Sequence, residues 1–99
     1  MKRYSGDRTI DGIKVLVDEQ PLNPQLEIAQ FTDQGFEWSY EGAEPQQLAL
    51  ALLIDHLGED TARATQLCEP FMKAVIARLD NTWALTSDDI DQALKTLEN

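Results

Sequence analysis

A β-hairpin is predicted near the N-terminus by an Asp-Gly pair between two β-prone segments. Asp11-Gly12 separates R-T-I from I-K-V-L-V, and this arrangement is a strong signal for a tight turn between antiparallel strands. The strands are predicted over residues 2–10 and 13–18, with a bulge or bend at Gly6. Side chains alternate between the two faces of a strand. The apolar residues that then share the core face are Ile13, Val15 and Val17.

Apolar and polar residues alternate a second time in F-E-W-S-Y-E, residues 36–41. A period of two predicts a strand with its aromatic side chains facing the core and its polar side chains facing solvent. The aromatic residues are Phe36, Trp38 and Tyr40, and the polar residues are Glu37, Ser39 and Glu41. Residues 18–24, which include two prolines, are predicted to form a loop. The pattern of residues 26–31 fits either a short strand or irregular chain.

The longest apolar run, residues 48–54, is predicted to lie in a helix rather than in a strand. Proline is favoured at the first position of a helix and glycine just past its end, and Pro45 and Gly58 bracket the run. Its apolar residues cover more than one stripe, so we expect this helix to be buried on most sides. A second helix is predicted from about Asp60 to residue 80. An interior proline removes a backbone hydrogen bond, so we expect either a kink at Pro70, which we favour, or two short helices that meet there.

The C-terminal part of the chain is predicted to add an edge strand and a third helix. Residues 83–85 read as the strand, and Thr86 and Asp89 have the spacing of a capping box at a helix start. The apolar face of this helix comprises Ile90, Ala93, Leu94 and Leu97. The sum is one α+β domain over residues 1–99. We expect a small, mostly antiparallel sheet of three or four strands, with about three helices packed on one face.

Negative charge is concentrated in the middle of the sequence. The chain has 18 acidic and 8 basic residues, a net charge of −10, and residues 15–62 contain no lysine or arginine. Carboxylates without local cations either repel one another or meet cations of another molecule. This pattern argues against direct nucleic-acid binding, which needs a basic surface, and favours a protein partner with a basic surface. The same charge also fits a surface that serves only solubility.

The predicted partner-binding residues are carboxylates that flank the sheet and its connection to the first helix. They are Asp18, Glu19, Asp33, Glu37, Glu41 and Glu44. A row of carboxylates fixed on a scaffold can imitate the phosphates of duplex DNA, which carries one charge per roughly 1.7 Å. Trp38 and Tyr40 are expected to support this row from behind.

The sequence predicts no catalytic, metal or cofactor site. His56 and Cys68 are the only residues of their types. His56 fits the last turn of a helix, where the dipole favours a cation, and Cys68 fits a packing position in the core. The carboxylates of Asp88, Asp89 and Asp91 fit the first turn of a helix better than a calcium loop. A single cysteine suits a reducing compartment, and neither a membrane span nor a signal peptide is recognised. We therefore expect a cytoplasmic protein without cofactors.

Four segments resemble a family of small prokaryotic domains of unknown function that occurs on phages, plasmids and other mobile DNA. They are M-K-R-Y-S-G-D-R-T, G-F-E-W-S-Y-E-G-A-E-P, P-F-M-K-A-V-I-A-R-L and W-A-L-T-S-D-D-I. The resemblance covers most of the chain, and the aromatic segment followed by proline and an Ala/Leu-rich helix is its most specific part. It implies no catalytic residues. It implies a role in the contest between mobile elements and their hosts, and, for a phage-encoded protein, the host cytoplasm as location.

Two functions follow as hypotheses. The first is a non-enzymatic acidic interaction protein that blocks a basic nucleic-acid-binding surface, as an inhibitor of the anti-CRISPR or anti-restriction type would. The alternative is a small structural or accessory domain that self-associates or docks through apolar surface, with its charge serving solubility. Salt distinguishes the two, because screening weakens only the electrostatic contact. The sequence leaves the oligomeric state open, a homodimer included.

Overall fold

The computed structural model, which describes residues 2–98, begins with the predicted β-hairpin. Strand β1 (Arg3–Thr9) pairs antiparallel with β2 (Gly12–Val17). The two flanking residues, Thr9 and Gly12, face each other, so the turn is Ile10-Asp11, one residue earlier than predicted. Gly12 instead opens the second strand with a φ of 117°, a left-handed conformation that costs glycine little.

Two short strands complete a four-stranded sheet around the hairpin. Strand β3 (Gln20–Pro21) pairs with the end of β2, and β4 (Trp83–Thr86) pairs with β1. The order is β3-β2-β1-β4 and every pair is antiparallel. The α+β class and the edge strand near Trp83 are therefore confirmed.

Two predictions for the hairpin are wrong. Gly6 is not a bulge, because it pairs in register with both Val15 and Trp83. It is a glycine because the Trp83 indole lies against it: a Cβ there would come within 2.3 Å of the ring. Ile13 is not in the core, since 39% of it is exposed and all residues from 9 to 14 are exposed. The tip of the hairpin extends past the helices, so alternation alone does not bury it.

Helix α1 (Ala43–Leu57) is the central element of the core, as predicted. All residues from 47 to 53 are less than 2% exposed, so neighbours surround this part of the helix on every side. The helix ends at Gly58, where the φ of 69° and the hydrogen bond from Gly58 N–H to the Ile54 carbonyl close the last turn. None of the helices within residues 2–98 is long and apolar enough to cross a membrane.

Helix α2 (Thr61–Ala74) runs through Pro70 without being split, and it is shorter than predicted. A 3₁₀ turn (Ile76–Arg78) follows it where the sequence pattern predicted a continuing α-helix. The carbonyl oxygens of Ile76 and Leu79 accept hydrogen bonds from Ser39. The Ile76 carbonyl also accepts from Leu79 N–H, which closes the 3₁₀ turn, so the segment around Ser39 is bonded to this turn.

Helix α3 (Ser87–Glu98) has the predicted capping box. Thr86 N–H donates to the Asp89 carboxylate at 2.9 Å, and Asp89 N–H donates to the Thr86 hydroxyl at 3.2 Å. Ile90 and Leu94 are buried on the predicted apolar face. The reciprocal bonds satisfy two backbone donors that a helix start otherwise leaves open.

The aromatic segment, residues 36–41, does not form the predicted strand. Left-handed backbone at Gly35 (φ 90°) and Ser39 (φ 78°) breaks the alternation of faces. Trp38 is fully buried and packs edge-on against Trp83, with ring centroids 5.7 Å apart, but Tyr40 is 44% exposed. Both edges of β1 are already occupied by β2 and β4, so this segment finds no strand to pair with there.

Candidate interaction surface

A long irregular segment, residues 22–42, is held in place by one buried side chain. Gln47, 1% exposed on α1, donates its amide to the carbonyls of Pro24 at 2.8 Å and Ala29 at 3.0 Å. Its carbonyl oxygen accepts from Phe31 N–H at 2.7 Å. A buried amide with all these partners satisfied replaces the hydrogen bonds that regular secondary structure would provide. The segment is therefore fixed against the first half of α1.

A second contact joins the same segment to the start of α1 through Glu44. Its carboxylate accepts hydrogen bonds from the hydroxyls of Thr32 at 2.7 Å and Tyr40 at 2.8 Å. These bonds, that of Thr32 first, lower the pKa of Glu44. Burial and the bond to Glu44 raise the pKa of Tyr40 to about 12. At neutral pH Glu44 is thus an anion in the first turn of the helix, where the dipole favours it.

Arg8 connects β1 to the aromatic segment. Its guanidinium lies 4.6 Å from the centroid of the Trp38 ring and donates to the Trp38 carbonyl at 2.8 Å. The same group donates to the Glu37 carboxylate from two nitrogens, at 2.8 and 3.3 Å, and to the side chain of Asn81. Glu37 is therefore paired with a cation, which the sequence pattern did not foresee because Arg8 is 29 residues away.

Four of the six predicted carboxylates lie around the first turn of α1. Glu44 is in that turn. The negative charge of Asp33 acts to raise the pKa of Glu44, against the effect of its hydrogen bonds. The negative charges of Glu37 and Glu44 both act to raise the pKa of Tyr40. Glu41 is exposed two residues before the helix. We call this set the α1-entry surface; it consists of Asp33, Glu37, Glu41 and Glu44. Within residues 2–98 only Glu37 of this set forms an ion pair.

The other two predicted carboxylates lie elsewhere. Asp18 and Glu19 form the turn between β2 and β3 with φ values of 48° and 71°, and Asp18 accepts a hydrogen bond from Arg3 N–H. The negative charge of Asp18 is one of the causes that raise the pKa of Tyr4. The Tyr4 hydroxyl donates a hydrogen bond of 2.7 Å to Asp55, near the end of α1. Asp55 follows Glu44 by eleven residues, about 16 Å along a helix. The structure therefore divides the six carboxylates between the two ends of α1.

Exposed apolar side chains form two further features that the sequence pattern missed. Leu26 and Ile28 are 46% and 44% exposed in the segment held by Gln47. Ile10, at the tip of the hairpin, is fully exposed. The position of Ile10 next to the Asp-Gly pair is the one sequence signal that could have identified it as a turn residue.

The two single residues with catalytic chemistry are engaged in separate contacts. His56 Nε2 lies 2.6 Å from a carboxylate oxygen of Asp91 on α3. Cys68 is 1% exposed, its thiol hydrogen-bonds to the Thr65 carbonyl, and burial raises its pKa. A thiol with a raised pKa carries little of the reactive thiolate at neutral pH. Over residues 2–98, no three His, Cys, Asp or Glu side chains form a cluster that could hold a metal ion.

Comparison with known proteins gives a family and no relative of known activity. No curated protein matches the chain, and no solved structure does. Residues 4–96 match the model of the family of unknown function DUF6166, and with nearly its whole length matched the chain belongs to that family.

Proposed function

We propose that this protein is a non-enzymatic interaction protein and that its α1-entry surface binds a partner with a basic surface. The observation that carries the proposal is the fixed group of carboxylates around the start of α1, of which only Glu37 has a cation partner among residues 2–98. Gln47 and Glu44 hold the supporting segment in place, so binding does not have to order it. Preorganised charges of one sign speed encounter with an oppositely charged partner.

The partner class we propose is a protein that itself binds nucleic acid. A basic groove shaped for phosphates attracts fixed carboxylates by the same long-range field. Occupying that groove would exclude nucleic acid, which is the action of an anti-CRISPR or anti-restriction inhibitor. The resemblance to domains found on phages and plasmids supports this choice of partner, and we propose the host cytoplasm as the location of the action.

A second function is favoured by the apolar tip of the hairpin. Ile10 is fully exposed, and Ile13 next to it is 39% exposed. Burying an isoleucine side chain contributes about 1.5–3 kcal/mol. The alternative is therefore an accessory domain that docks through this apolar tip, with its carboxylates serving solubility.

Affinity capture from prokaryotic lysate at low and at high salt tests both functions. The first predicts partners that are lost at high salt, released by duplex DNA, and lost after reversal of Asp33 and Glu41 to lysine. The matched control reverses Glu59 and Asp88, two exposed carboxylates on other parts of the chain. Capture that resists salt and these reversals but is lost in Ile10→Ser would overturn the first function and support the second.

A further inference from the structure

One face of the sheet is open. The helices pack on the face that carries the buried side chains Tyr4 and Val15. The opposite face has two shallow depressions of about 620 and 330 Å³ that both include Ser5 and Leu16 in their lining. They are therefore parts of one continuous surface across β1 and β2, which we call the open sheet face.

Charge on the open sheet face is nearly balanced, unlike the rest of the molecule. Its depressions are lined by two cations, Arg3 and Lys14, and by three acids, Asp7, Asp18 and Glu19. This face thus carries one of the ten net negative charges of the chain. Neither cation forms an ion pair within the described residues.

We propose that the open sheet face binds a second copy of this chain in a two-fold symmetric dimer. Two bodies of charge −10 repel each other, and the repulsion is smallest when they meet through the face with the least net charge. A two-fold axis brings the same patch of both copies together, so cations of one copy can face acids of the other. Leu16, half-buried in one chain, supplies apolar contact near the middle.

The size of the face predicts a weak dimer. The four strands have 7, 6, 2 and 4 residues; at about 3.3 Å per residue and 4.8 Å between strands, they offer on the order of 300 Å². This is below the roughly 800 Å² per partner of a standard stable interface. The dimer should therefore dissociate on dilution.

Salt should strengthen this dimer. The shortest extent of one chain is 23 Å, so the centres of two stacked copies lie on the order of 20 Å apart. The Debye length falls from about 30 Å at 0.01 M salt to about 8 Å at 0.15 M. Screening therefore weakens the repulsion across this distance more than the cation–acid contacts of a few Å at the interface, and it leaves the apolar contact of Leu16 in place. This dependence is opposite to that of partner binding through the α1-entry surface.

Sedimentation equilibrium of the full chain tests the proposal, over about 10 µM to 1 mM protein at low and at physiological salt. The expected result is an average mass that rises towards two chains with concentration, and more so at the higher salt. Leu16→Glu should weaken dimerisation at least tenfold. The matched control is Leu26→Glu, the same change on an exposed leucine of the irregular segment, which should dimerise as the parent does.

A second pair of variants covers the case in which Leu16→Glu fails to fold, which circular dichroism would show. Lys14 and Lys95 are both exposed, and only Lys14 lies on the open sheet face. Lys14→Glu should weaken the dimer more than Lys95→Glu, although both change the net charge equally. A single-chain mass for the parent at every concentration would overturn the proposal. So would an equal effect on dimerisation of the two leucine variants together with an equal effect of the two lysine variants.

Discussion

Replacing Arg8 should destabilise the fold, because one guanidinium joins three parts of the chain. It contacts the Trp38 ring and carbonyl, the Glu37 carboxylate and the Asn81 side chain. A cation over an aromatic ring contributes about 0.5–2 kcal/mol, and a hydrogen bond involving a charged group about 1.5–3 kcal/mol. Arg8 and Glu37 are 29% and 32% exposed, so water screens part of the ion pair.

With that discount we expect Arg8→Met to lower the free energy of unfolding by about 2 kcal/mol. For a domain of this size, this corresponds to a fall in Tm of about 8–16 °C. Arg8→Lys should recover less than half of the loss, because lysine keeps the charge but not the planar fork. Urea denaturation of the parent and both variants measures these differences.

A double-mutant cycle separates the ion pair from the stacking. Glu37→Gln should cost less than Arg8→Met, since Arg8 keeps its contacts with Trp38. The coupling energy between Arg8 and Glu37 should be about 1 kcal/mol or less. Stability of Arg8→Met within about 0.5 kcal/mol of the parent, the range of ordinary surface changes, would show that this guanidinium does not hold the segment.

Three further changes test the packing and the titration. Gly6→Ala should lower stability by about 1–3 kcal/mol or more, because its Cβ overlaps the Trp83 indole, whereas Ser5→Ala on the other face should be nearly neutral; chemical denaturation compares them. Gln47→Leu should cost about 3 kcal/mol and speed hydrogen exchange of residues 24–31, because three backbone groups lose their partner, at about 1 kcal/mol each. Stability should fall as pH rises above about 10, the pH at which tyrosine ionises in the unfolded chain. In the folded chain, burial first and the hydrogen bond to Asp55 second raise the pKa of Tyr4 above its usual range. Above about pH 10 only the unfolded chain therefore releases this proton, which favours unfolding. Tyr4→Phe should make this alkaline fall less steep in thermal melts from pH 8 to 11.

The elements that the sequence predicted correctly are those whose signals are local. The Asp-Gly pair predicts the hairpin to within one residue of its turn, Pro45 lies in the first turn of α1 and Gly58 follows its end, and Thr86 with Asp89 specifies the start of α3. Each signal acts on the hydrogen bonding or the conformation of the backbone within a few residues of itself. Such signals do not depend on tertiary contacts.

The errors occur where a distant part of the chain determines the outcome. Alternation in residues 36–41 can produce a strand only beside a free strand edge, and β1 has none to offer. The hydrogen bonds of Ser39 to Ile76 and Leu79 determine the conformation of the aromatic segment and accompany the early end of α2. Arg8 likewise neutralises Glu37 through tertiary contact alone.

The division of the carboxylates between two places changes what the charge of this protein can do. With all six on one face, binding of a basic partner through that face would weaken with salt. Instead, Asp18 and Glu19 lie beside Arg3 on a face with little net charge, while Asp33, Glu41 and Glu44 form no ion pair in the described chain. Under the two proposals, low salt should favour a single chain that attracts a basic partner, and higher salt should favour pairing of two chains. The α1-entry surface and the open sheet face share no residue, so a dimer formed through the sheet would carry two α1-entry surfaces. Two such surfaces on one dimer would raise the avidity for a partner with repeated basic sites.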